Sequence, residues 1–178
     1  MRPLLIILAL AAALGAALAQ DEVSQRQDLM KEIAEAMNRI NRMFSGQEPY
    51  SGQVLKTAAE TVRLRAGTTM VELFSHNSAS VVSQARPEIW ERKEEFQELA
   101  LYLERFAGIV AEAGRNNPDD LTDAMRMRSG TPMGGGSLLG GRGTVWPGED
   151  EDVPAEHAFH LMMETCASCH ARFRYRRE

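Results

Sequence analysis

Only two cysteines occur in the 178 residues, and both stand beside a histidine in Cys166-Ala167-Ser168-Cys169-His170. On a helix, positions three and four residues apart share a face, so both sulfurs and the imidazole point to one side. That arrangement suits covalent attachment of a haem, with two thioethers to its vinyl groups and the adjacent imidazole on the iron. Three other chemistries use part of the same motif. A thioredoxin-like redox pair belongs at a strand-to-helix junction, and this chain has almost no strand signal. A structural zinc site needs four ligands, but there is no second cysteine pair; His157 and His160 lie nearby, with His160, six residues before Cys166, off the best-facing row. A plain disulfide leaves His170 unexplained. The motif therefore reads as one haem c per chain, attached through Cys166 and Cys169, with His170 as an iron ligand.

The elements that must position this group are helical. Val23, Met30, Ile33, Met37, Ile40 and Phe44 form an apolar stripe at gaps of three, four and seven, closed by Ser45-Gly46 and Pro49. A weaker helix is expected over 52–66, with Leu55, Ala58, Ala59 and Val62 inward, and residues 67–86 read as part helix, part loop. A third helix opens at Pro87-Glu88 and closes at Gly114, with Ile89, Phe96, Leu99, Leu103, Phe106 and Val110 as its stripe. The last is expected over 155–176, with Phe159, Met163, Cys166, His170 and Phe173 on one face. Residues 118–128 carry a helical pattern of their own. Residues 129–154, with Gly134-Gly135-Gly136, Gly140-Gly141 and an acidic run over 149–152, read as a flexible insertion. These glycines follow no strand and carry no Gly-Lys-Ser or Gly-Lys-Thr, so a phosphate cradle is excluded.

Residues 1–19 have the layout of a cleaved secretory signal: a positive start at Arg2, an apolar run over 4–14, and Ala17-Leu18-Ala19 before Gln20. The apolar run is short for a spanning helix. One domain over 20–178 remains, with no further membrane segment, and export fits a haem attached outside the cytoplasm. The balance of 20 basic and 25 acidic residues becomes 19 and 25 without Arg2, which argues against nucleic-acid binding. Basic residues gather only at Arg172, Arg174, Arg176 and Arg177, either as a solvated helix end complementing the dipole or beside an anionic ligand.

The sixth iron position is harder to read. In an up-down bundle of four helices the first and last are antiparallel. Met30 is ten residues after Gln20 and His170 eight before Glu178, which puts them at the same end. Periodicity leaves Met30 open between iron ligand and core packing, and ten methionines in the chain favour packing.

Four segments carry a resemblance. They are Arg26-Gln27-Asp28-Leu29-Met30-Lys31, Gly46-Gln47-Glu48-Pro49-Tyr50, Arg86-Pro87-Glu88-Ile89-Trp90, and the terminal haem motif with Arg174 four residues after His170. The chain resembles the cytochrome c′ family, the class II c-type cytochromes. The resemblance implies an all-α, antiparallel up-down four-helix bundle with the glycine-rich insertion in its fourth helix. It also implies that Arg26 and Gln27 approach the haem edge and propionates, and that Arg174 is the basic residue on the His170 side. Arg-Gln-x-x-Met-Lys looks like the low-spin pattern in which the methionine, here Met30, binds iron. The implied function is a periplasmic electron carrier serving redox partner proteins, not an enzyme. The alternative is a five-coordinate cytochrome c′ binding nitric oxide or carbon monoxide at an open site. A homodimer is a further expectation, which the insertion puts in question.

Overall fold

The computed structural model describes residues 2–74, 83–127 and 153–176, with side chains from residue 22 onward. Among the described residues six α-helices occur in the order α1 Arg2–Phe44, α2 Gly52–Arg65, α3 Gly67–Glu72, α4 Glu88–Glu91, α5 Lys93–Asn116 and α6 Ala155–Phe173. The described residues contain no strand, only an isolated antiparallel bridge between Ala85 and Arg174.

Four of the helices make the bundle: α1 packs on α2, α2 on α5, and α5 on α6. Each neighbouring pair is antiparallel. Glu32, twelve residues before the end of α1, pairs with Arg65 at the end of α2, and Phe96 early in α5 meets Phe173 at the end of α6. At one end α1 and α6 also close directly, through Phe44 and Phe159 with ring centroids 5.7 Å apart. The core between the helices is one cluster, with Ile40, Leu55, Phe106, Phe159 and Met162 among its fully buried members.

Sequence accounts for the joints. α1 stops at Phe44, and Gly46 takes the left-handed φ of 71° that side chains disfavour. Glu48 then folds back, accepting hydrogen bonds from Arg39 at 2.9 Å and Arg42 at 3.0 Å. Ser51 caps α2, its hydroxyl accepting from the Val54 amide. Where α2 meets the end of α5, Gly52 and Gly114 allow backbone-to-backbone approach. A Cβ on Gly52 would lie 2.4 Å from the Asn117 carbonyl oxygen and 2.5 Å from that of Gly114.

Three expectations change. The helix read from Pro87 is broken at Arg92, whose φ of −121° and ψ of 48° leave the helical region, and the longer piece runs two residues past Gly114. The pattern over 118–128 yields one 3₁₀ turn, Asp123–Met125. There the backbone is spent on tertiary bonds: Pro118 O accepts from the Gly52 amide and Asn117 O from the Tyr50 hydroxyl. The last helix ends at Phe173 rather than Arg176, because Arg174 enters the bridge with Ala85. The glycine-rich stretch lies outside the described residues except for Val153 and Pro154, which precede α6.

Candidate functional site

At the end opposite the Phe44–Phe159 contact, α1 and α6 face each other across a cavity of about 640 Å³. Its volume falls within the range of cofactor sites. One wall is α1, from Val23 to Asn38; the facing wall is the last turns of α6, from Met163 to Phe173, with Arg174 just beyond. Phe96, Leu99 and Leu103 of α5 form the floor, and Phe74 and residues 83–85 close the sides. The stripe on α1 therefore has two duties. Ile40 and Phe44 are buried in the core, while Met30 and Met37, seven apart and only half-buried, line the cavity.

All seven residues singled out in the sequence line this cavity: Arg26, Gln27, Met30, Cys166, Cys169, His170 and Arg174. Cys166 and Cys169 are half-buried and form no disulfide with each other, and His170 is more exposed. Burial pushes the thiol of Cys166 up to about 11, and burial together with the neighbouring Cys166 pushes Cys169 up to about 12. Burial, and then the charge of Arg174, pushes His170 below its usual value. Both effects favour the neutral imidazole, the form that can donate a lone pair to a metal. Among the described residues no group of three His, Cys, Asp or Glu side chains is arranged to hold a metal by itself.

The cationic positions differ from one another. Arg26 is 5% exposed, and its Nε donates to the Leu73 carbonyl at 2.6 Å. Its guanidinium lies over Phe74, 4.5 Å from the ring centroid. Gln27 is exposed at the cavity edge. Arg174 is exposed too, donating from Nε and Nη2 to Gln84 Oε1 at 3.0 and 2.8 Å.

Phe74 and Gln84 were not legible as site residues. Phe74 lies two residues beyond the six-residue helix α3, and its ring meets Phe96 at 5.0 Å, which in turn meets Phe173 at 5.5 Å. Trp90 holds the Phe74 carbonyl through its indole N–H at 2.8 Å. Gln84 and Arg174 are 90 residues apart, a separation no local pattern spans.

The donor set fits a haem. Two thiols and an imidazole share one helix face, a thioether lies on the facing helix, the lining is largely apolar, and cations stand at the edge.

Comparison with known proteins agrees. The family model described as Cytochrome C' matches residues 21–131. Cytochrome c-554 from Cereibacter sphaeroides is 31% identical over 119 residues, covering 62% of this chain and 78% of that protein. Among solved structures, cytochrome c prime from Shewanella frigidimarina superposes with a TM-score of 0.63 at 18% identity, covering 89% of this chain and 97% of that one. A nitric oxide complex of a cytochrome c prime variant from Alcaligenes xylosoxidans gives 0.62 at 18% identity, with the same coverage. The chain belongs to the cytochrome c′ family and is a c-type cytochrome carrying one covalently bound haem c.

Proposed function

We propose that this cytochrome is a periplasmic electron carrier with histidine and methionine on its iron. In this reading residues 1–19 direct export and are removed ahead of Gln20. Cys166 and Cys169 attach the ring, His170 and Met30 take the two axial positions, and Arg26, Gln27 and Arg174 stand at its edge. The observation that supports it most is the placement of Met30 and His170 on antiparallel helices that form facing walls of one cavity.

The bound haem supplies a one-electron iron couple, whose potential an imidazole–thioether ligand pair raises. The protein's own part is to hold both donors in place whichever oxidation state is present. Leu29 and Ile33, buried on either side of Met30 along α1, fix that helix against the core. Phe74, Phe96 and Phe173 exclude water from the inner wall. Among the described residues His170 is the only histidine lining the cavity, and Arg26 is engaged by Leu73 and Phe74. The partners would be redox proteins, with a second copy of the chain as a further candidate.

Gas binding is the second reading, favoured by the structural neighbour solved as a nitric oxide complex. There Met30 packs beside Met37 and leaves the sixth position open. The absorption spectrum of the oxidised holoprotein separates the two. The carrier gives a low-spin spectrum with a methionine-sulfur charge-transfer band that Met30→Leu abolishes. A high-spin spectrum unchanged by Met30→Leu would sink the carrier reading and leave the gas site.

A further inference from the structure

The end of α6 is tied to residues 83–86. The Arg86 amide donates to Phe173 O at 3.0 Å, and the Tyr175 amide donates to Gln84 O at 2.9 Å, on either side of the Ala85–Arg174 bridge. The Gln84 side chain joins the same place, its Oε1 accepting from two nitrogens of Arg174. A planar guanidinium held at two nitrogens by one oxygen has little freedom to turn. Arg174 follows His170 by about one helical turn, and its amide donates to the His170 carbonyl at 3.2 Å. Gln84, His170 and Arg174 all line the cavity.

That the acceptor is an amide matters for charge. Other arginines at this end of the bundle are matched by carboxylates: Arg86 by Glu88, and Arg92 and Arg172 by Glu95. Arg174 is held by a neutral oxygen, and among the described residues no carboxylate pairs with it. Among the described residues its charge thus has no compensating carboxylate at the cavity wall, whereas a freely swinging side chain would spend most of its time in screening solvent. A fixed cation close to an iron centre opposes the ferric state more than the ferrous state, since the former carries one more positive charge.

We propose that Gln84 is a positioning residue that fixes the guanidinium of Arg174 beside His170 and thereby raises the reduction potential of the bound haem. This rests on the reading of Cys166, Cys169 and His170 as the haem attachment. Gln84 itself touches neither ring nor iron in this role; it acts through Arg174.

The test uses holoprotein of the wild type, Gln84→Glu, Gln84→Met and Arg174→Gln. Midpoint potential is measured at low and high salt, with thermal unfolding and the Nε–H resonance of Arg174 followed alongside. Gln84→Glu keeps the hydrogen bonds and the unfolding midpoint but lowers the potential, as Arg174→Gln does. Gln84→Met leaves the backbone bridge, exposes the Arg174 Nε–H to exchange, and gives an intermediate potential that depends more steeply on salt. If both Gln84 variants keep the wild-type potential while Arg174→Gln lowers it, the positioning role is overturned. It is overturned too if Arg174→Gln has no effect, or if Gln84→Met shifts the potential only with a loss of stability and Gln84→Glu shifts nothing. Wild-type chain without covalent haem on a denaturing gel overturns the attachment reading instead.

Discussion

Arg26 is a cation buried almost completely, and its neighbours show how the fold accommodates it. Burial works against the charged form, and Glu22, 3.5 Å away on the preceding turn, works for it. The Leu73 carbonyl takes its Nε, and the face of Phe74 takes its guanidinium. The residue therefore links α1 to the end of α3, besides standing at the cavity. Arg26→Leu should destabilise the protein by about 1–3 kcal/mol, the range for losing a charged hydrogen bond and stranding a buried carbonyl. Urea unfolding measures this, and a loss near zero would show that Leu73 finds another donor.

Among the elements, α2 and α5 depend on a close crossing rather than on large side chains. Gly52 and Gly114 let the start of one helix sit against the end of the other, and the Gly52 amide donates to Pro118 O at 3.0 Å. The atoms nearest an added Cβ at Gly52 are backbone, which cannot rotate away. Gly52→Ala should therefore cost about 1–3 kcal/mol through overpacking, visible as a lower unfolding midpoint. The haem spectrum should stay unchanged, because the crossing lies at the opposite end from Cys166 and His170. A spectral change without a loss of stability would contradict that separation.

At the scale of the whole molecule, the two ends of the glycine-rich segment are held together. Glu156 in the first turn of α6 accepts from the Met127 amide at 2.8 Å and from Arg126 at 3.1 Å. Arg126 also donates to Phe44 O at 2.8 Å, at the end of α1 away from the cavity. Residues 127 and 153 are thus brought near each other by contacts outside the segment between them. Replacing 128–152 by a short glycine-serine link should leave the bundle and the haem spectrum intact, with stability unchanged or slightly raised because loop closure costs less. Absorbance and thermal unfolding check this, and loss of haem binding would mean that the segment contributes to the site. Among the described residues no helix is long and apolar enough to cross a membrane.

Much of the site could be read from the chain because its chemistry is local. Cys166, Cys169 and His170 share a helix face by spacing alone, and Met30 follows Arg26 and Gln27 within one amphipathic helix. The haem motif and the four bundle helices needed no long-range information beyond local spacing and the apolar period, while their antiparallel order was implied by the resemblance to cytochrome c′. Tertiary structure decided what depends on contacts between distant segments. It divided the α1 stripe into core and cavity faces, since both are apolar and only the partner helix tells them apart. It left 118–127 without an α-helix, where the Gly52 amide claims the Pro118 carbonyl and the Tyr50 hydroxyl that of Asn117 just before it. It ended α6 at Phe173 and set Gln84 beside Arg174, since strand-like bridging between positions 85 and 174 outweighs another helical turn. The pentapeptide alone determined a covalent haem; the cavity between α1 and α6 decided which residues stand around it, because side chains far apart in sequence meet only when the helices pack.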